Sequence, residues 1–136
     1  MGNRLAKKRV LVSQASDFMG PITTEFFRSE GAEVITSTRD LTSAQVCQDL
    51  VDSAGDIDVL IANLAGPTNT GIQVTDLSNE QWGSGFRYMV DPLHWLTQAV
   101  LPQMIERKKG KIVVYGSAAG LKGMKTVAAY SAARAA

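Results

Sequence analysis

The chain is short of the features that would tie it to a membrane, a polyanion or an oxidising compartment. Cys47 is the only cysteine in 136 residues, so no internal disulfide framework is available, which fits a reducing cytoplasm. Cys47 itself reads as an apolar helix residue. Neither sign of charge is in excess: 14 Lys and Arg against 13 Asp and Glu leave a formal +1, too little to recruit nucleic acid or an anionic lipid surface. No apolar run approaches the roughly 18 residues of a membrane span. The run Val10-Leu11-Val12 behind basic Arg4 to Arg9 is too short for a signal-peptide core, and Ala6 speaks against myristoylation of Gly2. The single histidine, His94, stands between Leu93 and Trp95 with no ligand partner in view, so packing or an interface is the reading and no metal is expected.

What remains is ordinary globular composition, 45% hydrophobic and 20% charged, enough for one core. Val10 to Val12 reads as a strand, and Pro21 to Glu30 as a helix with Pro near its start and Gly31 behind it. Glu33 to Thr38 is a second strand. Thr42 with Gln45 forms a capping box for a helix to about Ser53, and Asp58 to Ala62 is the next strand. Ser78 with Gln81 opens a long helix whose Trp82, Phe86, Met89, Leu93, Leu96 and Val100 share one apolar face, with Pro92 and Pro102 expected to bend or interrupt it. Trp82, Phe86 and Trp95 are expected in the core or a subunit interface, and Glu106 to Lys109 at a solvated helix end. Lys111 to Tyr115 is the last strand, and a final helix starts near Thr126. Alternating strands and helices predict an α/β fold, a doubly wound parallel sheet in three α/β/α layers, with residues 1–136 as one domain. The Ala-rich final helix reaches Ala136 with no stop signal, which predicts a chain truncated soon after that helix begins.

A further scarcity is local: glycine is missing where a nucleotide-binding turn needs it. Val10 to Gly20 occupies the first strand-to-helix turn, where a Cβ keeps a pyrophosphate from the helix N-terminus. Gln14 and Phe18 hold two positions that are Gly in the dehydrogenase pattern T-G-x-x-x-G-x-G, and only Gly20 remains. The stretch from Thr38 to Asp58 is also too short for the usual helix and strand that support an adenosine. No cofactor is therefore expected. The alternative, a degenerate but working site in which Arg39 meets a 2′-phosphate, stays open.

The residues with chemistry lie near the other end. Ser117 ends a strand, Tyr130 follows in the next helix, and Arg134 sits at i+4 on the face of Tyr130. A phenol ionises near pH 10, and an adjacent guanidinium, whose charge cannot be lost, stabilises its anion. The set resembles the Ser/Tyr pair of the short-chain dehydrogenases with Arg where Lys is usual. The patterns Ser117-x12-Tyr130-x3-Arg134 and Ser13-x4-Phe18-x-Gly20 together resemble the halohydrin dehalogenases, cofactor-free relatives of those dehydrogenases with the same Rossmann-like fold. Asp58-Val-Leu-Ile-Ala-Asn-Leu-Ala and Lys111-Ile-Val-Val-Tyr-Gly-Ser-Ala-Ala bring it closest to the B-type members, over about Lys8 to Ala136. Ser13 departs mildly from the family's usual Thr.

The resemblance implies a lyase. Tyr130 would take the proton from the hydroxyl of a vicinal halohydrin, Ser117 would hold that oxygen, and Arg134 would lower the pKa of Tyr130. The alkoxide would expel halide to give an epoxide, and small anions would reopen it. Phe18 would line the halide pocket, with Ala119, Leu121 and Pro67 as candidate pocket residues. Met89 falls near where the dehydrogenases keep an Asn for proton relay, and Asn63 is expected to steady the sheet and the site loop. A homotetramer of the complete protein is implied too. The competing readings are an atypical NAD(P)-dependent reductase and a noncatalytic scaffold or inactive fragment.

Overall fold

The computed structural model describes residues 2–136, and its elements follow the alternation of the sequence. They are β1 (Arg9–Val12), α1 (Gly20–Ser29), β2 (Glu33–Thr36), α2 (Ala44–Ala54), β3 (Val59–Ala62), α3 (Asn79–Met89), α4 (Asp91–Glu106), β4 (Lys111–Val114), α5 (Ala118–Leu121) and α6 (Ala128–Ala135). The four strands form one parallel sheet in the order β2-β1-β3-β4. Val10 pairs with Val34 and with Val59, and Leu60 pairs with Ile112. Only α2 connects β2 to β3, which leaves β2 at the sheet edge.

Period-two alternation decides which residues meet which helices. Leu11, Leu60 and Ala62 join Leu50, Leu96 and Val100 on the α2 and α4 side, whereas Val10, Val12, Val59 and Ile61 pack with Phe27 of α1 on the other. The result is the expected three-layer, doubly wound α/β arrangement. Full burial of each large aliphatic side chain stabilises by about 1.5–3 kcal/mol, so these two clusters dominate cohesion. At the N-terminal end of the strands the Asp58 carboxylate accepts from Arg9 N at 3.0 Å and pairs with Lys109 Nζ at 2.7 Å. The hydrogen bond from Lys109 and then that from the Arg9 backbone hold Asp58 below the usual carboxylate range, against the opposing effect of burial.

Three local expectations need correction. The cap of α2 is Ser43, not Thr42: Ser43 Oγ accepts from Val46 N at 3.3 Å, while the Gln45 side chain donates to Asp49, so there is no box from Thr42 to Gln45. The box from Ser78 to Gln81 does form, with both reciprocal bonds present. The long helix breaks in two at Val90, because Pro92 cannot donate a backbone hydrogen bond but fits the first turn of a new helix. Pro102 leaves α4 unbroken; the carbonyl it leaves unbonded belongs to solvent-exposed Gln98, where water can serve it. The break also splits the apolar stripe. Leu96 and Val100 are buried, while Trp82 is 45% exposed and leans on Phe86 with ring centroids 5.7 Å apart. Trp95 packs against the α2 and α4 core. His94 is exposed, and among the described residues no three His, Cys, Asp or Glu are grouped to hold a metal. Among the described residues no helix is long and apolar enough to cross a membrane.

Candidate active site

The C-terminal ends of β1, β3 and β4 meet the N-terminal end of α1 and the helices α5 and α6, and Phe18, Ser117, Tyr130 and Arg134 lie in or beside this region. It is held by backbone polar groups. Asn63, fully buried just beyond β3, donates from Nδ2 to Gln14 O at 2.8 Å and to Asp17 O at 2.9 Å, so it fixes the turn between β1 and α1. Ser13 Oγ reaches back to Asn63 O at 3.2 Å. Gly20 then closes the turn, since a Cβ there would meet Ala15 O at 2.5 Å.

The turn keeps a glycine-like path without the glycines. Gln14 has φ +43° and Phe18 φ +48°, the left-handed region that costs an L-residue about 1–2 kcal/mol. Their side chains are placed accordingly. Gln14 Oε1 accepts from Ala65 N at 2.8 Å, spanning from the first turn to the loop after β3. Phe18 is 53% exposed and its ring stands nearly perpendicular to that of Tyr115, centroids 6.3 Å apart and planes at 84°.

Ser117 does not end the strand as expected but follows β4 after Tyr115 and Gly116, where it caps α5, its Oγ accepting from Ala119 N at 3.2 Å. One lone pair is used in the cap, so the hydroxyl proton is free to point toward another acceptor. The four-residue α5 is absent from the sequence reading; its signal was Ser117 itself as an N-cap. Helix α6 carries Tyr130 and Arg134, and it lies close to α3 because Gly85 has no side chain: a Cβ there would stand 3.1 Å from that of Ala133.

Arg134 is the most constrained of these groups. NH1 donates to Tyr115 O at 3.0 Å and NH2 to Leu64 O at 2.9 Å, joining the ends of β3 and β4. The guanidinium carbon lies 5.3 Å from the Tyr130 ring centroid and 5.7 Å from that of Phe18, while Nε is buried without a partner. A Lys ammonium lacks the planar fork that reaches two carbonyls at once, which accounts physically for Arg here. Burial is the largest single influence on Tyr130 and pushes its phenol up; the Ser117 hydroxyl and the hydrogen bonding and charge of Arg134 together outweigh it, so the pKa falls below the usual 10.

The candidate pocket residues separate. Leu121 is 94% exposed and, with Ser117, Gly120 and Arg134, lines an open cavity of about 450 Å³. Ala119 is buried, and Pro67 is exposed in the loop after β3. Met89 is buried at the end of α3, where a Cβ on Gly66 would lie 3.2 Å from its Cγ. Tyr115 was missed beyond its place in a strand. Its hydroxyl lies 2.6 Å from Thr23 Oγ1, a contact across 92 residues of sequence that no local pattern announces.

A parallel sheet in this strand order, with Ser117 after β4 and Tyr130 on α6, is the scaffold of a short-chain dehydrogenase. The short chain dehydrogenase family profile matches residues 3–136, and the chain belongs to that family. Among its relatives, the 2-keto-3-deoxy-L-fuconate dehydrogenase of Xanthomonas campestris pv. campestris is 33% identical over 109 residues, covering 79% of this chain and 36% of that protein. The 3-oxoacyl-[acyl-carrier-protein] reductase FabG of Thermotoga maritima is 29% identical over 160 aligned residues, covering 97% and 64%. That alignment is longer than this 136-residue chain, so the relative carries insertions that this chain lacks. A solved structure described as a dehalogenation enzyme superposes with a TM-score of 0.85 at 26% identity, covering 97% of this chain and 63% of that one. NAD+-bound xylitol dehydrogenase gives a TM-score of 0.82 at 25% identity, covering 97% and 61%. The chain thus spans between about a third and two thirds of the length of these relatives.

Proposed function

We propose that this chain carries the base and anion-facing side of a halohydrin dehalogenase, a cofactor-independent carbon-halogen lyase. The observation that carries the reading is Arg134, held by two carbonyls and placed between Phe18 and Tyr130. It links the exchange at the catalytic helix to the exchange in the first turn. The likeness to a structure described as a dehalogenation enzyme supports it.

In this reading the Tyr130 phenolate removes the proton from a hydroxyl vicinal to a carbon-halogen bond. Ser117 donates its free O–H to the same substrate oxygen and orients it. The alkoxide lone pair attacks the neighbouring carbon as the halide leaves with the bonding pair, giving an epoxide; small anions open the ring in reverse. Phe18 presents its positive ring edge on the halide side. Leu121 is the proposed pocket residue that already lines the open cavity beside Ser117.

The family implies a nicotinamide dinucleotide, and the residues present do not fit one. Side chains begin at Gln14 and Phe18, where the pyrophosphate requires bare backbone, and the Gln14 carboxamide occupies the crevice between the first turn and Ala65. The names of the sequence relatives favour the second reading, an NAD(P)-dependent oxidoreductase. The two separate in one experiment: protein freed of nucleotides is given a small vicinal halohydrin, and epoxide formation is followed by gas chromatography alongside NADPH binding. Epoxide without NADPH supports the lyase, and tight NADPH binding without epoxide rejects it.

A further inference from the structure

Phe18 has few supports of its own. It is more than half exposed and sits at φ +48°, so its ring direction is set by the groups it touches, Tyr115 on one side and Arg134 on the other. Tyr115 is held at both ends. Its hydroxyl lies 2.6 Å from Thr23 Oγ1, and Thr23 is 5% exposed within α1, so the phenol is tied to a rigid helix. Its carbonyl accepts from Arg134 NH1 at 3.0 Å. One residue therefore joins the helix after the first turn, the ring in that turn and the guanidinium beside Tyr130.

We infer that Tyr115 is a positioning residue for the anion side of the site: its ring, locked by Thr23, sets the Phe18 edge, while its carbonyl independently seats Arg134. The inference rests on the proposed function for what Phe18 faces, and it assigns Tyr115 and Thr23 a role in anion affinity apart from proton transfer. The two roles divide within one residue because the ring acts on Phe18 and the backbone acts on Arg134. A side-chain change should therefore move anion binding and leave the titration of Tyr130 in place.

The probe is bromide. Its affinity is read from the broadening of the 81Br resonance, which needs no turnover, and as product inhibition of halide release from 1-bromo-2-propanol. Tyr115→Phe and Thr23→Val each remove one end of the same hydrogen bond, so each should weaken bromide binding by about five- to tenfold. The double variant should be no weaker than either alone, and Thr23→Ser should restore wild-type affinity. The pH midpoint assigned to Tyr130 should not move in any of them. Unchanged bromide affinity in Tyr115→Phe, or losses that multiply in the double variant, would overturn the inference; so would a wild-type protein that leaves the bromide line sharp. If the wild-type line broadens and the variants behave as stated but no epoxide forms, the lyase reading fails and the positioning role stands.

Discussion

The first turn and the catalytic helix have changed in opposite ways. Between β1 and α1 the backbone path is kept and the side chains are replaced: Gln14 and Phe18 adopt left-handed conformations suited to glycine and place bulk in the crevice. Around α6 the serine and tyrosine of the family pattern are kept, Ser117 at the α5 cap and Tyr130 on α6, and one neighbour is new, Arg134, whose fork reaches carbonyls just beyond β3 and β4. In the proposed reading the cofactor is lost and the turn that held it is not, because the turn also serves Asn63, whose amide bonds both Gln14 O and Asp17 O. The proposed base, Tyr130, would then draw its support from the protein alone.

The comparison breaks most sharply at Tyr130. Tyr130→Phe removes the proton acceptor and should lower the dehalogenation rate by about 10²–10⁴-fold with an unchanged circular dichroism spectrum. Rate loss of less than tenfold would transfer the base role elsewhere.

Arg134→Lys comes next. It should strand one of the carbonyls of Leu64 and Tyr115, costing about 1–3 kcal/mol in urea unfolding. It should also raise the phenolate midpoint of Tyr130, read by ultraviolet difference titration. The sign follows from linkage. In the parent the native phenol is below the unfolded value of 10, so between the two the native state binds fewer protons. Activity through the phenolate and this contribution to stability therefore both rise with pH through the native midpoint. In Arg134→Lys the rise should shift to higher pH.

A gentler test restores the family glycines. Gln14→Gly with Phe18→Gly relieves two left-handed side chains, a gain of about 1 kcal/mol each that the lost Ala65 bond and ring contacts partly offset. The double variant should gain NADPH binding detectable by nucleotide fluorescence while bromide affinity falls. The smallest effect lies outside both regions: Ser43→Ala should cost about 1 kcal/mol by loss of the α2 cap, and Thr42→Ala almost nothing.

The sequence carried the sheet well, because fully buried strands such as Val59–Ala62 read as short apolar runs bounded by polar residues. It also placed Phe18, Tyr130 and Arg134 in one neighbourhood, through a fixed spacing on one helix and a missing glycine. It erred where two adjacent residues compete for one role, as Thr42 and Ser43 do for the cap, and at Pro102, which leaves α4 unbroken, whereas the interruption expected at Pro92 is present. The tethers of Arg134 to Leu64 and of Tyr115 to Thr23 were invisible, since each spans tens of residues and depends on the strand order.

The most direct test of the account follows one reaction mixture of protein and 1-bromo-2-propanol, first without nucleotide and then with NADPH, recording bromide release and absorbance at 340 nm. Steady bromide release from the start, unchanged on adding NADPH and with no loss of absorbance, is the expected result. Bromide release that waits for the nucleotide, or NADPH consumption with no bromide, would contradict it.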